Sequence, residues 1–181
     1  MTPWIQTHSG QVVNLADLTS DVICIEDIAH SLSHICRYTG HSRVHYSVAE
    51  HCYWASEVAL RSQPKFALYA LLHDAHEAYV GDVSAPLKSL LPDYRKLEDR
   101  IQTQVLSRFG LNLPVPPEVK AMDHTMMCTE RQQLLSWPPP QPWVDPDNPG
   151  YLFLDLKCWA PEVARDRFLT QFEKLQTLTE L

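Results

Sequence analysis

The sequence predicts an all-α domain that opens with one small β-hairpin. Two observations carry this prediction. Apolar residues recur at spacings of three and four along most of the chain, as they do on one face of a helix. Prolines and glycines stand where such helices begin and end. A chain of 181 residues can bury a core without disulfides, so we expect a single domain over residues 1–181.

The predicted elements follow in chain order. Residues 4–13 alternate around Ser9-Gly10, which is typical of a hairpin. Helices are predicted over the ranges 26–37, 48–62, 64–80, 93–109, 116–136 and from Pro161 onward. Loops are predicted over residues 38–46, 82–92 and 137–149.

Local signals support several of these boundaries. Ser47 and Glu50 fit a capping box at the start of the second helix, and Asp93 fits a cap for the fourth. The six prolines between residues 137 and 149 exclude a helix there, and we expect an extended loop within the same domain. The last helix should turn one apolar face inward, made of Ala164, Phe168, Phe172 and Leu175.

Composition excludes several classes of function. The formal net charge is −7, which argues against binding a nucleic acid polymer, since that needs clustered Lys and Arg. No apolar run approaches the roughly 20 residues of a membrane span, and the N-terminus lacks a signal peptide pattern. The five cysteines are scattered and never spaced C-x-x-C. We therefore expect reduced thiols in a cytoplasmic protein without a membrane partner.

The candidate metal ligands are histidines and aspartates on apolar helix faces. His73 and Asp74 are adjacent and point about 100° apart on a helix, so they can share a cation only with ligands from elsewhere. His51 is a candidate, and so is Asp123, which interrupts an apolar stripe where an unpaired carboxylate is costly. Two imidazoles and two carboxylates suit one divalent ion of Mn, Fe, Co, Ni, Zn or Mg with open water positions.

Three further residues fit hydrolytic chemistry beside such an ion. Glu77 lies four residues after His73 on the same helix face, where it could position or deprotonate a metal-bound water. Lys88 and Arg37 are candidates for gripping a phosphate. Each of these residues also has an ordinary alternative. Asp123 could be a satisfied buried carboxylate or a helix cap, Arg37 could complement a helix C-terminus, and Lys88 could be solvated.

Taken together, these residues resemble the HD-domain metal-dependent phosphohydrolases. The longer pattern H-D-x-x-E-x-x-x-G-D-x-x-x-P-x-K is present as His73, Asp74, Glu77, Gly81, Asp82, Pro86 and Lys88. It is similar to that of bacterial 5′-deoxynucleotidases and of compact phage-type deoxynucleoside triphosphohydrolases, including the viral dATP triphosphohydrolases. Arg37-Tyr38 and the first histidine, in Ser47–His51, match as well, so the resemblance spans roughly residues 22–135.

The resemblance implies a helical bundle with one divalent ion at its centre, held by His51, His73, Asp74 and Asp123. Glu77 would be the catalytic carboxylate, and Asp82 would lie near the sugar or the attacking water. Substrate contacts would come from Arg37, Tyr38, Gly40, Pro86 and Lys88, with Gly40 leaving a wide purine pocket. Relatives of this kind form dimers or larger rings, so a homo-oligomer, dimeric or hexameric, is expected.

The leading function is hydrolysis of a purine deoxynucleoside triphosphate, dATP-like, to deoxynucleoside and triphosphate. The alternative is a 5′-deoxynucleotidase that releases phosphate from deoxynucleoside monophosphates. A nucleotide sensor without turnover is a further reading, although a sensor need not keep Glu77. A di-iron oxygenase of the HD type needs more ligands, and only His76 and His124 follow the His73-Asp74 pair. The role of His76 stays open.

Overall fold

This computed structural model describes residues 2–136 and 152–179. The chain opens with an antiparallel hairpin of β1 (Trp4–Gln6) and β2 (Val12–Asn14). The α-helices are α1 (Ile25–His34), α2 (Val48–Ser62), α3 (Ala67–Leu72), α4 (Glu77–Val80), α5 (Ala85–Lys88), α6 (Pro92–Arg108), α7 (Pro117–Leu134) and α8 (Pro161–Thr179). Short 3-10 turns lie at Ser20–Val22, Tyr38–Gly40 and Pro64–Phe66. The predicted all-α class with an N-terminal hairpin is confirmed.

Helix α2 is the centre of the bundle and packs against α3, α7, α8 and α1. Its contact face is built from small residues, since Ala49, Ala55 and Ala59 are fully or almost fully buried. Ala67 and Ala70 of α3 are fully buried as well. Small side chains let two helices approach closely, and this brings the polar residues of α2 and α3 near one another.

Helix α8 closes the bundle against α1, α2 and α3. Its four predicted inward residues are all buried, which confirms the periodicity of the sequence: Ala164, Phe168, Phe172 and Leu175. Within the described part of the chain, no helix has both the length and the apolar character that crossing a bilayer requires.

The prediction of one continuous helix over residues 64–80 is wrong. This range is divided into a 3-10 turn, then α3, then a turn through His73–His76, then α4. In this turn the backbone bonds span three residues, from Ala75 N to Leu72 O at 3.0 Å and from Glu77 N to Asp74 O at 2.9 Å. Bonds of this kind wind the chain more tightly than an α-helix. The Gln102 side chain of α6 also binds the turn, donating from Nε2 to the His73 carbonyl at 3.0 Å.

Two other boundaries differ from the prediction because extended backbone competes with the helix. The predicted helix over 26–37 ends at His34, and Cys36 instead pairs with Ser47 as an isolated antiparallel bridge. Arg37 N donates to Tyr46 O at 2.9 Å across the same pair of chains. The predicted loop over 38–46 is therefore closed at its base, because hydrogen bonds join the backbone on its two sides.

The segment before α6 also departs from the prediction. The predicted loop over 82–92 contains the short helix α5, and α6 begins with Pro92 at its first position. Asp93 therefore lies inside the helix rather than capping it, because the proline ring already has the helical φ value. The predicted loop over 137–149 lies outside the described residues. All five cysteines are free thiols.

The predicted capping box at α2 is half correct. The Ser47 hydroxyl accepts a hydrogen bond from Glu50 N at 3.1 Å, as predicted. The Glu50 carboxylate, which is fully buried, does not return to Ser47. It instead accepts from three consecutive backbone amides in the segment before α8 and from the Trp54 indole: Lys157 N at 2.9 Å, Cys158 N at 3.0 Å, Trp159 N at 2.7 Å and Trp54 Nε1 at 3.2 Å. Glu50 thereby attaches the C-terminal part of the chain to α2.

Replacing Glu50 by Gln should lower the free energy of unfolding by about 2 kcal/mol or more. The amide would present an NH₂ group to three backbone donors that now face a carboxylate. Urea unfolding followed by circular dichroism measures this change. Glu118→Gln, at an exposed position in the first turn of α7, is the matched control and should stay within about 0.5 kcal/mol of the native protein. Equal effects of both substitutions would contradict this role of Glu50.

Candidate metal centre

Four side chains from three parts of the bundle bring their ligand atoms together. His51 lies on α2, His73 and Asp74 lie in the turn after α3, and Asp123 lies on α7. The two imidazole Nε2 atoms are 3.3 Å apart. Asp74 Oδ2 is 3.2 Å from His73 Nε2 and 3.7 Å from His51 Nε2. Asp123 Oδ1 is 3.2 Å from His51 Nε2 and 3.7 Å from His73 Nε2. The structure thus brings all four predicted ligands together.

The outer nitrogens of both imidazoles are already hydrogen-bonded to acceptors. His51 Nδ1 lies 2.6 Å from Glu130 Oε1, and His73 Nδ1 lies 2.8 Å from the Ala70 carbonyl. Neither a carboxylate nor a carbonyl can donate, so both Nδ1 atoms carry the hydrogen. In the neutral rings both Nε2 lone pairs then face the same point, together with two carboxylate oxygens. His51, His73 and Asp74 form a possible set of ligands for a divalent cation, and Asp123 approaches both imidazoles. Metal-ligating histidines are oriented in this way.

The charges of these imidazoles and carboxylates strongly shift one another's pKa values. Although burial lowers the pKa of His73, the Asp74 carboxylate raises it, and the balance lies well above the ordinary value. Burial raises the pKa of Asp74 and of Asp123, but the two imidazoles outweigh burial and lower both pKa values below their usual range. The carboxylates are therefore ionised at neutral pH. A cation, either a proton or a metal ion, is favoured between them.

Glu130 is the buried anion behind the metal ligands. It is fully buried, and its Oε1 accepts from His51 Nδ1 and, at 3.0 Å, from the Tyr46 hydroxyl. Its Oε2 accepts from Arg37 Nε at 3.0 Å and from the Tyr38 hydroxyl at 2.6 Å. These four bonds match the acceptor capacity of a carboxylate. Burial raises the pKa of Glu130, but Arg37 and His51 lower it, to about 2.

Arg37 links this buried anion to the metal ligands. Besides its bond to Glu130, its Nη1 lies 3.6 Å from Asp74 Oδ2. The residues directly after it hold unusual backbone, because Tyr38, Thr39 and Gly40 have φ values of 57°, 54° and 77°. Two of the three are not glycine, and such residues cost about 1 kcal/mol or more each in this conformation. Strain concentrated beside a charged cluster is typical of functional sites.

Glu77 is buried in the first turn of α4 and stands among like charges. Its Oε2 atom is buried and has no hydrogen-bond partner. Burial raises its pKa, the carboxylates of Asp74 and Asp82 raise it further, and the balance lies well above the ordinary value. Burial likewise raises the pKa of Asp82. These two carboxyl groups therefore hold a proton more readily than free ones, which suits proton transfer near neutral pH.

Lys88 is anchored by a residue that the sequence analysis missed. Its Nζ lies 2.5 Å from Glu98 Oε1 and 3.9 Å from Glu77 Oε1. His76 Nε2 is 3.4 Å from the same Glu98 oxygen, and the Tyr94 hydroxyl donates to it at 3.4 Å. His76, whose role was left open, is thus a buried member of this cluster. His76, Glu77 and Glu98 form a second possible ligand set, but an ammonium group already neutralises it.

Three of the four candidate metal ligands border a cavity of about 580 Å³ between α6 and α7. Its walls include His73, Asp74, Asp99, Gln102, Leu113, Pro114, Val115, Val119, Lys120 and Asp123. Apolar residues 113–115 form one side, and the metal ligands form another. Such a volume is typical of small-molecule sites. An ion bound at the four ligands would thus adjoin a space large enough for a substrate.

The five predicted substrate residues are not among those that line this cavity. Gly40 ends the strained turn after Arg37, and Pro86 is the second residue of α5. Neither these two nor Arg37, Tyr38 and Lys88 line the cavity of about 580 Å³. The hydroxyl of Tyr38 is directed to Glu130, so this side chain supports the centre from behind. Arg37 and Lys88 lie instead beside the carboxylates of Asp74 and Glu77, at 3.6 Å and 3.9 Å.

Two missed residues carried a detectable signal. Glu130 lies seven residues after Asp123, two helical turns on, and so occupies the same stripe. Glu98 precedes Ile101 and Val105 at helical spacing, and both of those residues are buried. The rule that selected Asp123, a carboxylate on an apolar stripe, would also have selected Glu130 and Glu98.

The fold and this centre define a helical protein with a cluster of His and Asp residues that could hold a metal ion. The chain is 43% identical over 180 residues, 97% of each protein, to the uncharacterized protein YfdR of Escherichia coli strain K12. It is 38% identical over 142 residues, 72% of each protein, to the uncharacterized protein RCAP_rcc00048 of Rhodobacter capsulatus. No model of a known protein family matches the chain. The chain belongs to the same family as YfdR.

Metal binding at this centre should release protons. Both imidazole pKa values are raised above the ordinary value, so each ring holds a proton more readily than a free imidazole, whereas a metal ion requires the neutral form. Affinity for Mn²⁺ or Co²⁺ should therefore rise with pH, by about tenfold per pH unit for each proton displaced. Calorimetry in buffers of different ionisation enthalpy counts the protons released.

Two variants test the assignment of this metal site. His73→Ala should lose stoichiometric metal while the fold, measured by circular dichroism, is retained. His124→Ala removes an imidazole beside Asp123 that is not part of the ligand set, and should bind metal as the native protein does. Retention of one ion per chain by His73→Ala, or binding without proton release, would show that the ligand assignment is wrong.

Proposed function

We propose that this protein is a metal-dependent phosphohydrolase of the HD-domain class that acts on deoxynucleotides. The observation that carries the proposal is the convergence of His51, His73, Asp74 and Asp123 at distances of 3.2–3.7 Å, with both imidazole Nδ1 atoms bound from behind. The motif around His73 adds the resemblance to deoxynucleotide phosphohydrolases. One divalent ion held by these four residues would supply Lewis-acid activation of water and of a phosphoryl oxygen.

The chain's own residues supply the remaining parts of a hydrolysis. Glu77, buried and with a raised pKa, would take or hold the proton of the attacking water. Asp82 lies close enough to share this charge and would orient the water or the sugar. Arg37 and Lys88 would offset the charge of the reacting phosphate. Lys88 would have to move away from Glu98 to reach it, since its Nζ now lies 2.5 Å from that carboxylate.

The surroundings favour one ion over two. The second set of possible ligands, His76, Glu77 and Glu98, surrounds the Lys88 ammonium rather than an open position. One ion is enough to activate a water for hydrolysis of a phosphate ester, whereas the di-iron oxygenases need a second site. This arrangement supports a hydrolase over an oxygenase. A homo-oligomeric state belongs to the same proposal, because it rests on the same resemblance.

A purine deoxynucleoside triphosphate is the leading substrate, and a deoxynucleoside monophosphate is the alternative. The cavity beside the metal ligands favours the longer substrate, because its lining adds a cationic residue, Lys120, that the sequence analysis did not consider. Attack on the α-phosphorus of a triphosphate would release deoxynucleoside and triphosphate. Chromatography of products from deoxynucleoside mono- and triphosphates with Mn²⁺ or Co²⁺ tests the proposal directly. Absence of turnover with every deoxynucleotide would overturn it.

Replacing Glu77 by Gln should lower kcat by about 100-fold or more, because general acid–base catalysis contributes at least that factor. Metal content should stay at the native level, since Glu77 is not among the four converging ligands. Turnover and metal content are measured on the same preparation. Glu118→Gln is the control for a carboxylate outside the site. Full turnover by Glu77→Gln with metal bound would show that this residue is not the catalytic carboxylate.

Lys120 should distinguish substrates by the length of their phosphate chain. Lys120→Met should raise KM for a triphosphate by about three- to tenfold, because an exposed cation contributes modestly and is screened by salt. KM for a monophosphate should change less. Lys96→Met, an exposed lysine of α6 that does not line the cavity, is the matched control. Equal changes for both substrates would contradict a role in binding the distal phosphates.

A further inference from the structure

A second cavity lies between the N-terminal hairpin, α1 and α4, apart from the metal ligands. Its volume is about 490 Å³, within the range of small-molecule sites. Its lining comes from residues 5–8 of the hairpin, from α1 and the residue after it, and from Ala78 and Tyr79 of α4. None of the metal ligands lines it. The deoxynucleotide hydrolysis proposed above makes no use of this space.

Two polar atoms at this cavity are buried without a hydrogen-bond partner. One is the hydroxyl of Tyr79, a residue that is 5% exposed, and the other is His30 Nδ1. Both residues line the cavity. A buried polar atom without a partner costs about 1–3 kcal/mol, so such atoms are normally paired with the protein, with water or with a ligand. A polar occupant of the cavity that reached these two atoms would satisfy both.

Three neighbouring imidazoles form part of this wall. His8 stacks on His30 with ring centroids 3.6 Å apart, and His34 lies 4.3 Å from His30 on its other side. Burial lowers the pKa of His30, and the neighbouring His8, His34 and Arg165 lower it further because each disfavours a second positive charge. An anion in the cavity would relieve this repulsion.

In the part of the chain that the structure describes, the one acidic residue that lines this cavity, Asp27, has its carboxylate already engaged in hydrogen bonds. Both carboxylate oxygens of Asp27 are used by the hairpin, since Ser9 N donates to Oδ1 at 2.6 Å and Ser9 Oγ donates to Oδ2 at 2.7 Å. These bonds hold the hairpin over α1. Within the described residues, two sets of possible metal ligands converge, and neither includes His8, His30 or His34. The wall therefore offers donors to an anion rather than ligands to a metal.

We propose that this cavity binds the phosphate group of a small phosphorylated molecule, with the Tyr79 hydroxyl and the His30 and His8 imidazoles as donors. The cavity is larger than a phosphate ion needs, so the rest of the molecule would lie along Ile5 and Ile35. The occupant would touch α4, since Tyr79 is two residues after Glu77 and Ser31 Oγ donates to Ala78 O at 3.1 Å. Binding is independent of the proposed hydrolysis. The bound molecule would contact α4 on the side away from the candidate metal ligands.

Imidazole NMR of the ¹⁵N-labelled protein tests this site with two probes, inorganic phosphate and ribose 5-phosphate. The His8 and His30 resonances should shift saturably with at least one probe. Tyr79→Phe and His30→Phe should each weaken binding by about tenfold, since each removes one hydrogen bond to a charged group. Tyr69→Phe, which removes a hydroxyl outside the cavity, should bind as the native protein does.

The same spectra separate this site from the metal centre, because His51 and His73 report on the latter. Saturation by inorganic phosphate with equal affinity would identify free phosphate as the ligand, and a preference for ribose 5-phosphate would identify a phosphorylated metabolite. Shifts confined to His51 and His73, no shift with either probe, or unchanged affinity in Tyr79→Phe would overturn the proposal. None of these outcomes depends on whether the protein hydrolyses a nucleotide.

Discussion

The buried carboxylate of Glu130 is the interaction on which the centre of this protein depends. A fully buried anion is tolerated only when its oxygens are hydrogen-bonded and its charge is balanced. Here Arg37 balances the charge, and Tyr38, Tyr46 and His51 complete the hydrogen bonds. Because these partners come from the segment after α1 and from α2, this one group aligns α7 with both. The orientation of the His51 ring follows from this alignment.

The segment from Arg37 to Tyr46 contains a strained turn and supplies the residues that balance the charge of Glu130. Its ends are joined by Arg37 N bonding Tyr46 O, and both end residues reach Glu130 through their side chains. The left-handed residues Tyr38 and Thr39 are held in place because Tyr38 also binds Glu130. Backbone strain of this size is retained only where the surroundings impose it. The buried anion is what imposes it here.

Much of the fold could be predicted from sequence, and the reason is the strength of helical periodicity. Helices α2, α7 and α8 and the hairpin match their predicted ranges closely. The division of the predicted helix over 64–80 could not be predicted, because its apolar pattern continues through the turn and tertiary bonds decide the break. The candidate metal ligands stand out in the sequence because each is polar on an apolar face. Glu130 and Glu98 were overlooked, since glutamates are common on helices and their burial depends on partners distant in sequence.

Helix α7 carries Asp123, a candidate metal ligand, and Glu130, the buried anion that orients the His51 ring, two turns apart on one face. The distance between these two functions is therefore set by the helix itself. Insertion or deletion of one residue between them would rotate one by about 100° away from the other. Over evolutionary time, this stretch of α7 should keep its length even where its other residues change. An acidic pair at this fixed interval would then serve as a signature for recognising distant members of the family.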